Sequence, residues 1–256
     1  MQELVSVIIP LYNSGHLIKN TINSVLSQTY ENIEILVVDD CSTDDSYKIV
    51  EEMSKEDSRI KLFQNPENSG AAVSRNRGLS ESSGRYIAYI DADDLWDKEK
   101  LEKQIKFLND NKIGFSCCSY RVINEEGIDQ NKKIIMPKAT TYKKLLKNTI
   151  LLTVGIIVDT SIVNKDLLVM PLVRRGQDTA TWAQVLKAGF ICYGQSDVLA
   201  SYRKVKHSLS SNKLKAVKRT WYWYRKIEKL NPIYAAYCFV GYAFNAVKKR
   251  IYIRKK

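Results

Sequence analysis

The chain has 256 residues, of which 45% are hydrophobic and 27% are charged, a composition typical of a globular protein with a substantial core. No apolar run reaches the ~18–20 residues of a membrane-spanning helix, and no basic segment precedes the apolar N-terminus, so we expect neither a membrane span nor a secretory signal. The five cysteines are scattered, without the spacing of a zinc site or a disulfide framework, and this favours a reducing compartment.

The net charge of +12 is concentrated at the C-terminal end of the chain. Residues 201–256 hold 16 of the 40 Lys and Arg residues but one of the 28 acidic residues, Glu228. This asymmetry predicts an anionic partner for the C-terminal segment, either a bilayer surface or a polyphosphate. The alternative is a solvated segment that only aids solubility.

The first 120 residues alternate between buried strands and amphipathic helices. An apolar run over 4–9 predicts the first strand, which Pro10 ends, and Ser42 with Asp45 has the capping-box spacing of a helix start. The other predicted strands cover 33–38, 60–63, 86–90 and 114–118, and the predicted helices cover 18–26, 42–53, 71–79 and 96–109. We therefore expect an α/β fold with a Rossmann-like, mainly parallel twisted sheet and helices on both faces.

Beyond residue 120 the pattern predicts a helix over 141–152, a strand over 154–158, a helix over 179–187 and a short strand pair within 190–202. Basic helices are predicted over 213–229 and 233–247, separated at Pro232. The second is apolar and aromatic, and it suits a position at a bilayer surface better than a bilayer span. The prediction is a domain over residues 1–212 and a basic, amphipathic helical tail over 213–256.

Polar residues follow the predicted strands, where ligands of parallel sheets bind. The residues expected to line one crevice are Tyr12 and Asn13, Asp39 and Asp40, residues 65–70, and Asp91–Asp94. Asp91 and Asp93 could share a Mg²⁺ or Mn²⁺ ion that bridges to substrate phosphates, although acidic residues before a helix are more often caps.

Four further side chains are candidates for binding or catalysis. Arg75 could reach a diphosphate or form a structural ion pair, and Arg203 could clamp a diphosphate. Asp178 stands at a loop–helix junction, where a carboxylate serves either as general base or as cap. His207 is either a third metal ligand or a surface histidine.

Five motifs, taken in order, resemble glycosyltransferase family 2, whose members have the GT-A nucleotide-sugar fold. The motifs are SVIIPLYN, ILVVDDCSTDDS, NSGAAVSRNRGL, YIAYIDADD and QD-x-x-x-W, and they cover roughly residues 4–212. Within the family the chain is most similar to bacterial cell-wall, capsule or teichuronic-acid-type transferases.

The resemblance implies an inverting, metal-dependent transfer of a sugar, most often from a UDP-sugar, to a hydroxyl of a glycan or lipid-linked acceptor in cell-surface polysaccharide synthesis. Asp178 would be the catalytic base, and Asp93 and Asp91 would bind Mn²⁺ or Mg²⁺, with Asp93 as the direct ligand. The residues that would bind the nucleotide are Pro10, Tyr12, Asn13, Asp39, Asp40, Asn68, Arg75, Asp91 and Arg203.

Two departures from the family pattern stand beside the motifs. Gln177 replaces the glutamate that often precedes the base, and Val205 stands where a histidine is common, so a metal role for His207 stays open. The expected location is cytoplasmic and peripheral, at the inner face of the cell membrane, with the tail on the anionic bilayer.

Two alternatives stay open at this point. A nucleotidyltransferase also needs paired carboxylates, but the loop after the first strand has no Lys or Arg before Lys19. A nucleic-acid binder could stack bases on the aromatic residues at 221–224. We expect no nucleic-acid partner, because aromatic and basic residues flank an apolar segment in the pattern of an interfacial anchor.

Overall fold

The computed structural model describes residues 2–173, 176–204 and 213–253. His207 and the predicted domain boundary at 212 lie outside these residues. Within 213–216 and 247–253 the backbone is described without the side chains.

The described residues form ten strands and eight α-helices. The strands are β1 (Val5–Leu11), β2 (Ile33–Asp39), β3 (Ile60–Gln64), β4 (Tyr86–Tyr89), β5 (Leu95–Trp96), β6 (Phe115–Ile123), β7 (Asp129–Ile134), β8 (Ala139–Thr140), β9 (Ile156–Asp159) and β10 (Cys192–Arg203). The helices are α1 (Gly15–Leu26), α2 (Ser46–Glu56), α3 (Ala71–Glu81), α4 (Lys100–Asn111), α5 (Tyr142–Lys147), α6 (Gln177–Lys187), α7 (Lys213–Tyr222) and α8 (Pro232–Ile253). A π-helical turn, Trp223–Ile227, continues α7.

The strands form one sheet in the order β3-β2-β1-β4-β9-β6-β10-β5, with β7 on β6 and β8 on β10. The predicted α/β fold with a mainly parallel sheet is therefore confirmed, because most paired residues belong to parallel ladders and the antiparallel ladders are short. Four strand pairs of the described chain are parallel and five are antiparallel. The parallel pattern predicted from the βαβ units holds for β3-β2-β1-β4, and insertion of β9 between β4 and β6 makes the pairings on both of its sides antiparallel.

The sequence predicted that Pro10 ends the first strand, and this prediction is wrong because β1 continues to Leu11. On one side β1 pairs with β2 along its whole length, whereas β4 pairs with it only as far as Ile8. Pro10 therefore lies where one flank of the strand has no ladder, and a residue without an N–H is tolerated there.

The predicted helix start at Ser42 is wrong, because α2 begins at Ser46. The Ser42 N–H donates to the Asp39 carboxylate, and its hydroxyl accepts the Asn13 N–H at 3.0 Å. Residues 40–45 thus form a loop beside the end of β1. Two other predictions are also corrected: the helix predicted over 141–152 ends at Lys147, and the strand pair predicted within 190–202 is the single strand β10.

The C-terminal helices pack on the body of the protein. Trp223 and Tyr224 are buried and belong to the same hydrophobic core as the sheet, together with Ala235 and Cys238 of α8. The Tyr224 hydroxyl donates to the carbonyl of Leu146 in α5. In the described part of the chain, no helix has both the length and the apolar character needed to cross a bilayer.

Candidate active site

Asp39 ends β2 at the carboxyl edge of the parallel strands. Its carboxylate is buried, and it accepts the Ser42 N–H at 3.2 Å and the Gln64 amide of β3 at 3.0 Å. Pro10 and Tyr12 lie at the end of the neighbouring strand, and the Tyr12 ring is exposed. The structure therefore brings these three predicted nucleotide-binding residues to one edge of the sheet.

Asn13 and Asp40 each hold a loop at that edge. Asn13 has a left-handed backbone (φ 46°), and its Oδ1 accepts the Thr43 N–H at 2.8 Å. Asp40 accepts the backbone N–H groups of Ser69 at 3.0 Å and Gly70 at 2.7 Å. These contacts fix the loop that leads into α3, and Asn68 stands exposed on the same loop.

Arg75 of α3 links the two acidic sites predicted from the sequence. The buried guanidinium donates to the Asp91 carboxylate and also lies within electrostatic range of Asp178. Burial lowers the pKa of Arg75, but the charges of Asp91 and Asp178 raise it by more, so the pKa is higher than its ordinary value. The predicted structural ion pair with the Asp91–Asp94 loop is thus present.

Asp91 and Asp178 line the same cavity, whose volume is about 270 Å³. Asp178 belongs to the first turn of α6, and this helix is packed against the sheet by Trp182, whose ring meets the Tyr89 ring edge-on at 5.8 Å. Tyr89 ends β4, two residues before Asp91. The contact of Trp182 with Tyr89 therefore links the helix of Asp178 to the strand that precedes the loop of Asp91, and the Trp182 ring also lies 5.8 Å from the Phe115 ring of β6.

Asp93 and Asp94 occupy the same loop in different surroundings. Burial and the neighbouring Asp91 charge raise the pKa of the Asp93 carboxyl to about 6. Asp94 is buried, and its Oδ1 accepts the Arg203 N–H at 2.8 Å. Burial, with the charges of Asp93 and Asp91, also raises the pKa of Asp94 well above its ordinary value.

Arg203 holds this loop in place by hydrogen bonds to the backbone carbonyl of Asp93 and to the Asp94 side chain. Its Nε donates to the carbonyl of Asp93 at 2.6 Å, and its Nη1 donates to the carbonyls of Asn124 and Glu125 at 3.1 and 2.7 Å. The buried guanidinium therefore joins the loop after β4 to the turn after β6.

Asp91 and Asp93 suit a divalent cation that takes its other ligands from a substrate. Among the described residues, no group of three or more His, Cys, Asp or Glu side chains forms a complete metal site. Mg²⁺ and Mn²⁺ are commonly held by one or two carboxylates together with phosphate oxygens and water. Burial and then the charge of Asp91 raise the pKa of Asp93, and a cation at this place would relieve the repulsion between the two carboxylates, so the donor set fits.

Much of the cavity wall was missed by sequence reasoning. It comes from the segment after α5, from Tyr202, and from the C-terminal helices; the residues are Thr149, Leu151–Val154, Tyr202, Arg219, Thr220, Trp223 and Tyr242. The aromatic residues at 221–224 were the sequence signal for the part of the wall formed by the C-terminal helices. Because basic residues flank them, the sequence analysis placed them at a bilayer surface instead.

Curated relatives align with nearly the whole chain. TuaG of Bacillus subtilis, a protein assigned to teichuronic acid biosynthesis as a glycosyltransferase, is 46% identical over 250 residues and 98% of both chains. WfgD of Escherichia coli, a β-1,3-glucosyltransferase named for UDP-glucose and GlcNAc-diphosphoundecaprenol, is 38% identical over 97% of this chain and 96% of its own.

Solved structures share the fold at low sequence identity. TarS of S. aureus (residues 1–349, in complex with UDP-GlcNAc) superposes with a TM-score of 0.70 at 21% identity, over 93% of this chain and 71% of that chain. The mannosyltransferase PcManGT of Pyrobaculum calidifontis, in complex with GDP-Man and Mn²⁺, gives 0.70 at 20% identity, over 94% and 69%.

A sequence model of the family described as "Glycosyl transferase family 2" matches residues 6–169. This match covers the strands and loops that carry Asp39, Arg75 and Asp91, and the full-length relatives extend the similarity to the C-terminal helices. The chain belongs to glycosyl transferase family 2 and is a glycosyltransferase of GT-A fold.

Proposed function

We propose that this enzyme transfers a sugar, with inversion, from a UDP-sugar to a hydroxyl of a glycan or lipid-linked acceptor in cell-surface polysaccharide synthesis. The observation that carries the proposal is the cavity that holds Asp91 and Asp178 together, with Arg75 between their charges. Glycosyl transfer needs a site for the departing diphosphate and a base for the acceptor. Asp91, through a divalent cation, would serve the first need and Asp178 the second. The names of WfgD and TuaG agree with such a donor and with cell-surface products.

The nucleotide part of the donor is assigned to the carboxyl edge of β1 and β2. Asp39 and the exposed Tyr12 would contact the nucleoside, with Pro10 beneath them. Asn13 and Asp40 would act through the loops that they hold, and Asn68 stands on the second of these loops. Arg75 and Arg203 belong to the diphosphate side, where Arg203 positions the Asp91–Asp94 loop.

Asp93 and Asp91 would hold the divalent cation, Mn²⁺ or Mg²⁺, against the diphosphate. When bound, such an ion neutralises the negative charge that develops on the leaving diphosphate. Arg75 would keep Asp91 oriented toward this position, since its guanidinium already donates to that carboxylate.

Asp178 would take the proton from the acceptor hydroxyl. The oxygen of that hydroxyl forms the new bond to the anomeric carbon, and the bond from this carbon to the diphosphate oxygen breaks on the opposite side. The nucleoside diphosphate leaves with the electron pair of the broken bond. Attack opposite the leaving group inverts the configuration at the anomeric carbon.

The place of action is proposed to be the inner face of the cell membrane, with the C-terminal helices on the anionic bilayer. The basic composition of 201–256 supports this location, because each Lys or Arg near an anionic surface favours binding. Membership of the family gives no support to the nucleotidyltransferase and nucleic-acid-binding alternatives.

The test replaces the proposed base and the proposed metal ligand separately. With a UDP-sugar, an acceptor and Mn²⁺, we expect Asp178→Asn and Asp93→Ala each to lower kcat about a hundredfold or more. Asp93→Ala should also abolish metal-dependent donor binding in calorimetry, whereas Asp178→Asn should keep it. Full turnover in both variants would remove these assignments.

A matched control is Asp166→Asn, an exposed carboxylate in the first turn of another helical segment. Its turnover should equal that of the unchanged enzyme. The anomeric configuration of the product, read by NMR, checks the stereochemistry, and retention would contradict the single-displacement role given to Asp178.

A further inference from the structure

One face of α8 is apolar and open to solvent. Ile233, Tyr237, Val240 and Phe244 follow one another at intervals of four, three and four residues, and they are 85%, 58%, 69% and 68% exposed. At 3.6 residues per turn this spacing places them in one line along the helix. We call these four side chains the apolar stripe.

The opposite face of α8 packs on the enzyme. Ala235 and Cys238 are fully buried, and Tyr242 lines the cavity that holds Asp91 and Asp178. By the same helical period, Tyr242 lies about half a turn away from the stripe. A helix that is apolar on both faces usually has apolar surroundings on both sides. In the described structure the protein core covers one face of α8, and the stripe on the other face is exposed.

Cations border the stripe. Lys147 of α5 places its ammonium 4.1 Å from the centre of the Tyr237 ring and donates to the Tyr237 hydroxyl at 2.8 Å. Lys143 and Lys144 are exposed on the same helix, which packs beside α8. An anionic surface that met the stripe would therefore also meet these ammonium groups.

The acidic residue of the C-terminal segment is turned inward. Glu228 is the single acid of residues 201–256, and its carboxylate is buried against Lys187 and Tyr142. Exposed Lys226 lies in the π-helical turn, and exposed Lys229 lies in the segment that leads into α8. Among the described side chains of α5, α7 and α8, no exposed acid opposes an anionic surface.

We propose that the apolar stripe inserts into the interfacial layer of an anionic bilayer, so that α8 lies in the membrane plane. The stripe would enter the boundary between headgroups and acyl chains, and the bordering lysines would contact lipid phosphates. This inference deepens the proposed function, on which it rests for the identity of the acceptor.

The geometry also orients the active site. Because Tyr242 and the stripe lie on opposite sides of one helix, α8 separates the cavity from the bilayer by about one helix diameter, roughly 10 Å. The hydroxyl of a lipid-linked acceptor, whose diphosphate lies at headgroup level, could then reach Asp178 without leaving the membrane.

The test uses the full chain and vesicle flotation. Phosphatidylcholine vesicles with and without phosphatidylglycerol are compared for the unchanged enzyme and for V240S/F244S, whose replaced side chains are exposed and make no core contact. We expect the unchanged enzyme to float with the anionic vesicles and the double variant to bind at least about tenfold more weakly. Transfer to a short water-soluble acceptor should be the same for both, and transfer to a lipid-linked acceptor in vesicles should fall for the variant.

The control is I128S/I135S, which removes two exposed apolar side chains beside β7 and should bind vesicles like the unchanged enzyme. Unaltered flotation of V240S/F244S would overturn the proposal. So would sedimentation of the unchanged enzyme as a dimer and of V240S/F244S as a monomer, because the stripe would then be an interface between two copies. A chain that floats but transfers no sugar would refute the proposed function and leave the docking face standing.

Discussion

Arg75 illustrates how one side chain can interact with two carboxylates, Asp91 and Asp178, for which we propose roles in the reaction. Its guanidinium is 6% exposed, and removal of Asp91 would take away the carboxylate to which this buried charge donates, a costly change in a protein interior. Asp91 comes from the end of β4 and Asp178 from the start of α6. Their relative placement therefore depends on a third element, α3, that carries neither.

Glu34 gives a residue-scale prediction about pH. It is buried in β2 and accepts hydrogen bonds from Lys61, Ser6 and Ser83. Burial raises the pKa of this carboxyl, but the three donors lower it by more, to about 2. A folded-state pKa below the unfolded value stabilises the protein above about pH 4.5, and this stabilisation is lost as the pH falls toward 2.

We expect this single group to contribute at most about 3 kcal/mol to the loss of unfolding free energy between these pH values. Glu34→Gln should lack that part of the loss. The unfolding free energies of the two proteins, measured by denaturant melts at each pH, should therefore converge as the solution is acidified. A difference in unfolding free energy that stays constant across this pH range would contradict the lowered pKa of Glu34.

At the scale of elements, the contact of α3 with the sheet depends on Gly78. A Cβ built at Gly78 would lie 2.6 Å from Cγ2 of Ile8, a fully buried residue of β1. The helix that carries Arg75 can therefore approach the strand only because this position has no side chain.

Gly78→Ala should lower the unfolding free energy by about 1–3 kcal/mol, since Ile8 has no free space into which to move. Gly241→Ala in α8 is the matched change, because its new methyl would meet the flexible chain of Lys147 instead. It should be neutral or slightly stabilising through helix propensity. Equal melting temperatures for the two variants would show that α3 can shift freely on the sheet.

The individual strands and helices were the part of the fold that the sequence predicted best. β1 to β4 and the helices between them were predicted because continuous apolar strands and helical spacing are local signals. β9 could not be placed, since its insertion between β4 and β6 is a long-range pairing without a local signature. The start of α2 was predicted too early because Ser42 bonds across to Asn13, a contact that a local capping pattern does not reveal.

At the scale of the whole molecule, Glu228 joins the C-terminal helices to the body. It pairs with Lys187 at the end of α6 and accepts the Tyr142 hydroxyl of α5. The sequence predicted a basic, amphipathic helical tail over 213–256 from its charge and helical pattern, and it could not show that Trp223 and Tyr224 are buried in the core. Deletion of the segment would therefore expose core and cavity wall as well as remove basic charge.

Glu228→Gln should loosen α7 and α8 without unfolding the sheet. We expect amide hydrogen exchange across the described helical residues 217–246 to become about tenfold faster, because the charged hydrogen bonds of Glu228 are lost, while exchange in β1 and β2 stays unchanged. Glu99→Gln, which breaks an exposed pair with Lys103, is the control and should change neither region. Unaltered exchange in α7 and α8 of Glu228→Gln would show that packing alone holds them.

The shared wall of the cavity has a consequence for engineering. Leu151–Val154 and the pair Trp223 and Tyr242 face the same space from distant parts of the polypeptide. A chimera that grafts only the middle segment, or only the C-terminal helices, from a relative would combine two cavity walls from different enzymes, and we propose that this cavity receives the acceptor. Acceptor preference should therefore move between family members only when both stretches are exchanged together.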